Sequence, residues 1–234
     1  MLKEALALIK EILFPIFCVE CGAEGEWWCR ECLQKIKINY INGCPVCGVK
    51  TSRGEVCEKC RANSFLNGVV ALFNYRENDP IAKLIKQFKY NFAGDLKNFW
   101  PKIIQKINNN FLPWDNFTII PIPLHARRQR ERGFNQAEVL AQVFADNLKT
   151  QGFSCVLNNK ALGRTRYTLQ QARLSKEERH RNLLNAFVWR GQIVPERVVL
   201  VDDVFTTGAT MQEAAKVLKQ AGVKEVWGLA LARD

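Results

Sequence analysis

No run of this 234-residue chain is long and apolar enough to cross a bilayer as a helix, which excludes a helical integral membrane protein. The N-terminal stretch MLKEALALIKEILF does not read as a secretory signal either. Lys3, Glu4, Lys10 and Glu11 interrupt its apolar residues, and no small-residue cleavage site follows. Its apolar positions Leu2, Leu6, Ile9 and Leu13 share one helix face, suiting a helix packed on the next module; a membrane-surface or partner helix is the other reading. A cytoplasmic location is expected. Internal repeats are lacking apart from paired cysteines. Acidic residues are also in short supply, 23 against 34 Lys and Arg, for a formal charge of +11. What remains is ordinary for a soluble globular protein: 47% hydrophobic residues, and length for one full domain plus a small one.

The nine cysteines are concentrated. Eight form four C-x-x-C pairs before residue 61: Cys18/Cys21, Cys29/Cys32, Cys44/Cys47 and Cys57/Cys60. A tight turn of this kind presents two thiolates to one tetrahedral zinc, and two turns complete a four-cysteine site. Eight cysteines therefore predict two structural zinc ions. Disulfides and a redox pair fit less well, since four repeated pairs exceed what a redox motif needs. Spacers of seven and nine residues let the first two pairs close one site and the last two another; an interleaved arrangement uses the same ligands. Gly22 and Gly48 follow the second cysteine of their pairs, where a knuckle needs positive φ. Trp27, Trp28 and Ile36 supply apolar bulk to a module that otherwise has little. Cys155 stands apart as a buried thiol.

Each four-thiolate site with one divalent ion adds −2, so two sites lower the net charge to about +7. The excess is local. Residues 125–181 carry twelve Lys/Arg against five Asp/Glu, whereas residues 1–62 are nearly balanced at nine against eight. A positive field so placed suits a polyanion, either a small pyrophosphate-bearing substrate or nucleic acid.

Two domains are expected, 1–62 and 63–234. Past residue 62 the pattern alternates. Strands are predicted at 68–75, 118–124, 196–201 and 225–232. Helices are predicted at 80–90, 95–107 (with Pro101 as a kink), 135–148, 175–184 with a Ser175/Glu178 capping box, and 210–221 closed by Gly222. Residues 164–173 lack a period and read as a mobile loop. This is an α/β chain with a doubly wound parallel sheet and a small N-terminal zinc-ribbon domain.

The run VVLVDDVFTTGATM at 198–211 carries the most chemistry. Four apolar residues suit a central parallel strand, and Asp202 and Asp203 follow at its carboxyl end, where such sheets bind ligands. Thr206, Thr207, Gly208, Ala209 and Thr210 then offer hydroxyls and free N–H groups to an anion at a helix start. Phosphate donors beside carboxylates that accept from a diol are what a ribose 5-phosphate needs. The plain alternative is a strand–turn–helix whose threonines cap the helix.

Pro121, Ile122, Pro123, Leu124 and His125 end another strand, with Arg127, Arg128, Arg130 and Arg132 just beyond. Forked guanidinium groups recognise phosphate, although such a run also suits a solvated turn. His125 reads equally as a pyrophosphate contact or a structural histidine. Arg164 and Arg166 begin the aperiodic loop, which either closes over a substrate or stays on the surface. Lys89 in Phe88-Lys89-Tyr90 is a further candidate contact. A nucleic acid would use Arg127, Arg128, Arg130 and Arg132, with Trp27 and Trp28 stacking on bases.

The 198–211 run resembles the phosphoribosyl pyrophosphate (PRPP) motif of type I phosphoribosyltransferases. With the N-terminal cysteine pairs, FKY, PIPLH, RRQRERGFNQ, RTRYTLQQARLS and ERHRNLLNAF, nearly the whole chain resembles the ComF family of bacterial competence proteins. The resemblance implies a double zinc ribbon fused to a type I phosphoribosyltransferase fold, and a role with incoming single-stranded DNA during natural transformation. It carries PRPP, held with Mg2+, to Asp202, Asp203 and residues 206–210, and pyrophosphate to residues 121–125. Arg164, Arg166, Thr168, Gln171, Arg179 and Asn182 match its mobile-loop region, and Asn185 departs from a common glycine. The implied partners are PRPP, single-stranded DNA, and a competence helicase or DNA-processing proteins. Two alternatives stand beside this reading: a non-catalytic zinc-dependent nucleic-acid-binding module, and an active phosphoribosyltransferase on an unidentified nucleobase or amine.

Overall fold

A computed structural model describes residues 15–90, 96–107, 112–167 and 183–234. The expected N-terminal helix, the capping box at Ser175, and Thr168, Gln171, Arg179 and Asn182 lie outside these residues.

The central sheet has six strands in the order β1–β2–β8–β7–β3–β4. They are β1 (Ile41–Asn42), β2 (Gly68–Asn74), β3 (Asn116–Pro121), β4 (Ser154–Leu157), β7 (Arg197–Phe205) and β8 (Glu225–Arg233). Strands β2, β8, β7, β3 and β4 run parallel; β1 is antiparallel to β2. A strand buried on both faces reads as continuous apolar sequence, and its period of two divides that sequence between two cores. In β7, Val199 and Val201 enter one core while Val198 and Leu200 enter the other. The first core is covered by α2 (Pro80–Tyr90), α3 (Trp100–Ile104) and α5 (Gln136–Thr150), through Ile85, Phe88, Ile103, Leu140 and Phe144. The second is covered by α6 (Ala209–Gln220), through Met211, Ala214 and Leu218. Helices on both faces make the sheet doubly wound.

Several boundaries differ from expectation. Strand β7 runs on through both aspartates to Phe205, because β8 continues to pair with it as far as Phe205↔Arg233. Strand β3 stops at Pro121, so Ile122, Pro123 and Leu124 form a loop. Pro101 sits in the first turn of α3, where its missing N–H is harmless, and does not kink a longer helix. The basic run at 126–132 is helix α4 (Ala126–Arg132), not a turn. Arg164 ends β5 (Leu162–Arg164), which pairs with β6 (Phe187–Trp189) in a separate two-stranded sheet. Arg164 is the first residue of the expected loop at 164–173, and strands of three residues are too short to show a period.

The zinc module is joined to the sheet. Its cysteines gather as Cys18, Cys21, Cys29 and Cys32, and as Cys44, Cys47, Cys57 and Cys60, each set with all sulfurs within 4.8 Å. The pairing is therefore sequential, not interleaved. Cys21 and Cys29 lie 3.7 Å apart, as do Cys47 and Cys57. Sulfurs tetrahedrally bound to zinc at about 2.3 Å are separated by nearly that much, whereas a disulfide is far shorter. Both sites fit zinc. The helix α1 (Arg30–Lys35) and a 3₁₀ turn (Glu58–Asn63) start directly after Cys29 and Cys57. Gly22 and Gly48 have φ of 77° and 76°, as a knuckle requires.

Trp28 corrects an expectation. Only 5% exposed, it lies parallel to Phe99 with centroids 6.3 Å apart, so it has no face to offer a base. The small module uses it to extend the first core. Trp27 is half-buried against that core and fills the same need.

Purified protein is expected to hold two zinc ions per chain. Cys21→Ser should leave one ion and lower the thermal midpoint by several degrees, because metal binding at such sites is folding free energy. A folded wild-type chain with one zinc or none would overturn the assignment.

Candidate functional site

Strand β7 outlasts its neighbour β3. Pairing with β3 ends at Pro121↔Val201, while pairing with β8 continues four residues further. Residues 202–205 thus have one open edge. The helices that follow β3 and β7 pack on opposite faces, so this is the point where the winding of the sheet reverses. A cleft of about 670 Å³ opens there.

Alternation along β7 sends its two carboxylates to opposite faces. Asp203 turns toward α2, where its Oδ2 is 2.9 Å from Lys89 Nζ. Burial opposes the Lys89 ammonium, but the Asp203 carboxylate, with Asp202 behind it, holds its pKa above the ordinary value. Asp202 lies on the other side, its Oδ1 accepting from the Asp203 N–H at 2.9 Å. Burial, and then the like charge of Asp203, push Asp202 up to about 7 despite the pull of Lys89 and Arg164. Arg164 is lowered to about 10 by burial and by the neighbouring charge of Arg128, which Asp202 offsets in part. Cations crowded at a cleft in this way suit an anionic ligand.

The turn after β7 forms the floor. Thr206, Gly208, Ala209 and Thr210 line the cleft. Thr207 does not; its hydroxyl accepts a long 3.5 Å bond from the Ala209 N–H. Gly208 is required twice. Its φ is 75°, and a Cβ there would meet the Phe205 ring at 2.5 Å. Helix α6 begins at the next residue; its N-cap, Gly208, has no side chain to cap it, and the long bond from Thr207 reaches only its first amide. The amides after Ala209 in this first turn are thus available to an anion.

The opposite wall comes from the loop after β3 and from α4 and α5. Ile122, Leu124, Arg128 and Arg132 line the cleft, whereas Pro121 lies within β3 and Pro123 is off the wall. His125 caps α4: its Nδ1 accepts from the Arg127 N–H at 3.2 Å, and its ring meets Tyr167 edge-on. The structural reading of this histidine is the one its contacts support. Arg127 pairs with Glu131 at 3.0 Å and lies over Tyr167, and Arg130 is exposed, so both are outside the cleft. Arg166 donates to the Leu184 carbonyl at 3.3 Å and does not line it either. Trp27 and Trp28 belong to the zinc module and are not on its walls.

Some cleft residues escape sequence reasoning. Tyr75, Arg76 and Glu77 follow β2, and Lys86 sits one turn before Lys89 on α2. The carboxyl-end rule that picked out Asp202 also points to the residues after β2. Asn135 is buried; its side chain accepts from Ala137 N–H and donates to the Ile122 carbonyl, tying the β3 loop to α5. Asp234 also lines the cleft, and no pattern marked it.

The chain is similar to known proteins over most of its length. Residues 9–61 match the family model of a double zinc ribbon domain, and residues 101–233 that of a phosphoribosyl transferase domain. The chain is 32% identical over 228 residues to competence protein F of Haemophilus influenzae, covering 87% of this chain and 95% of that protein. It is 30% identical over 219 residues to DNA utilization protein YhgH of Escherichia coli (strain K12), covering 88% and 92%. Identity to competence protein ComFC of Bacillus subtilis is 26% over 204 residues, covering 83% and 78%. With two cysteine sites in front and a threonine- and glycine-rich turn beside paired aspartates behind, the chain belongs to the competence protein F (ComF) family of phosphoribosyl transferase domain proteins.

Proposed function

We propose that this protein binds PRPP with Mg2+ in the cleft at residues 202–210 and handles incoming single-stranded DNA on the adjoining basic surface, in the cytoplasm, during natural transformation. The observation that carries the reading is the joining of three elements in one cleft: the carboxylates of Asp202 and Asp203, the turn at 206–210, and the guanidinium groups of Arg128, Arg132 and Arg164. The names of the relatives, competence and DNA utilization proteins, supply the cellular setting. A competence helicase or DNA-processing proteins are the corresponding partners.

Each part of PRPP has a counterpart. The turn amides and the Thr206 and Thr210 hydroxyls take the 5-phosphate. Asp202 and Asp203 accept from the ribose hydroxyls and favour positive charge at the ribose as pyrophosphate departs. Arg128, Arg132 and Arg164 receive the pyrophosphate as forked donors. Mg2+, retaining several waters, would be held on the side of Asp202 and Asp203 and would neutralise part of the pyrophosphate charge. Pyrophosphate release in the presence of candidate nucleobases or amines separates an active transferase from a PRPP-dependent DNA-binding module.

Asp202 gives the first test. Its raised pKa means that it ionises near neutrality, so Mg2+-dependent PRPP affinity should rise from pH 6 to pH 8. Asp202→Asn should abolish that rise and weaken binding on the order of tenfold, the size of one hydrogen bond to a charged group. Stability should move the other way. A carboxylate with a raised folded pKa contributes stability at low pH that is lost as pH rises through about 7. The variant's midpoint should therefore exceed that of the wild type at pH 8, by about 2–4 °C for each kcal/mol relieved, and the gain should vanish below about pH 4. Calorimetric titration and thermal melts across this range check both; PRPP binding untouched by the substitution would refute the site.

The second test uses α4. Arg128 faces the cleft and Arg130 faces solvent. Arg130→Glu should lower single-stranded DNA affinity and flatten its salt dependence while PRPP binding stays intact, since phosphate contacts release counterions. Arg128→Glu should weaken PRPP. DNA affinity unaffected by Arg130→Glu, or undetectable at low salt, would count against the DNA surface.

A further inference from the structure

We propose that Arg233 is a positioning residue that couples the second cysteine site to the phosphate-binding turn, so that metal at Cys44, Cys47, Cys57 and Cys60 pre-organises residues 206–210. The proposal rests on the reading of that turn given above. Arg233 ends β8 and is buried, 9% exposed. Its Nη1 donates to the Gly43 carbonyl at 2.7 Å and its Nη2 to the Cys44 carbonyl at 2.8 Å. Cys44 is itself one of the four thiols of that site. The rigid fork of a guanidinium can hold two neighbouring carbonyls at once, which an ammonium cannot.

The other face of the same group completes the link. The Arg233 guanidinium lies 5.0 Å from the centroid of the Phe205 ring. The strand register pairs Phe205 with Arg233, which puts both side chains on one face of the sheet. The Phe205 ring then abuts Gly208 so closely that not even a Cβ fits between them. Knuckle carbonyls, guanidinium, ring and turn glycine thus form one contiguous packed path. If the knuckle slackens, the fork loses its acceptors, leaves a buried cation without them, and no longer holds the ring beneath the turn. The first cysteine site has a different outlet, since Trp28 beside it stacks on Phe99 in the first core, whereas Phe205 packs in the second.

Amide hydrogen exchange on the full chain tests this without any ligand. Cys47→Ser, which breaks the second site, should speed exchange in residues 205–210 by about tenfold, within the usual range of coupling between sites. Cys21→Ser, which breaks the first, should leave that segment unchanged. Arg233→Met should match Cys47→Ser while retaining two zinc ions, and Arg233→Lys should not rescue it, because the fork and not the charge is required. Equal loosening by Cys21→Ser and Cys47→Ser, or a uniform rise throughout the sheet in Arg233→Met, would overturn the proposal. Should Arg233→Met fail to fold, the two cysteine variants and Phe205→Leu, expected to loosen the turn with both zinc ions retained, decide the matter. Coupling of binding free energies is reciprocal, so PRPP should also raise the affinity of the remaining site in Cys21→Ser for zinc, read by equilibrium competition with a chelator. A wild type that binds no PRPP would refute the proposed function, and the exchange data would still decide whether the coupling exists.

Discussion

Two carboxylates at adjacent positions of a buried strand repel one another and lose hydration, and the surrounding structure answers both costs. Asp203 is answered directly: α2 ends so that Lys89 reaches it at 2.9 Å. Asp202 is answered only in part, by charge from Lys89 and Arg164, and stays near neutrality in its ionisation. The fold delivers these cations from elements far apart in sequence. Lys89 comes from the helix after β2, Arg164 from the small β5–β6 sheet, and Arg128 and Arg132 from α4. Placing the acids where β7 has no neighbour on its β3 side gives them a cleft to face, so the strain of the pair is available to a ligand that brings its own hydroxyls or cation.

The cysteine module is part of this architecture more than an appendage to it. An exposed edge of a parallel sheet invites pairing with other chains. Here β1, from the cysteine module, covers the edge of β2 with an antiparallel strand. Trp28 and Cys18 enter the same apolar core as Phe88 and Phe144. A module of this size has too few apolar residues for a core of its own, and it uses metal on one side and the larger domain on the other. Domain boundaries at 1–62 and 63–234 therefore mark a change in sequence pattern across which the packing is continuous.

Legibility followed the range of the interaction. Cysteine spacing is local chemistry, and the two four-sulfur sites appear where the spacing put them. The strand at 198–201 was legible because burial on both faces demands an apolar run. Its extension through Asp202, Asp203 and Phe205 was not, because it depends on β8 continuing alongside, a non-local fact. Arg164 as a strand end, Trp28 as a buried ring and Arg233 beneath a knuckle share this cause: nothing within a few residues marks them, and each is decided by a partner at least twenty residues away. His125 shows the reverse. Read from the sequence it suits a pyrophosphate contact and a structural histidine equally; its contacts are those of a helix cap, which is local geometry that a sequence reading can weigh.

The run RRQRER shows how helical geometry resolves an ambiguity that composition cannot. Read as a string it is uniformly basic, equally suited to a small pyrophosphate and to a long polyanion. Wound into α4, residues four apart share a face. Arg128 and Arg132 fall together on the cleft wall, while Arg127 and Arg130 are exposed beyond it, Arg127 paired with Glu131. A small anion in the cleft and a phosphate backbone outside it need not compete for the same guanidinium groups. Arg130 is exposed to solvent, where charges more than about 8 Å apart are largely screened at physiological ionic strength, so a charge changed on the outer face leaves the field in the cleft little altered.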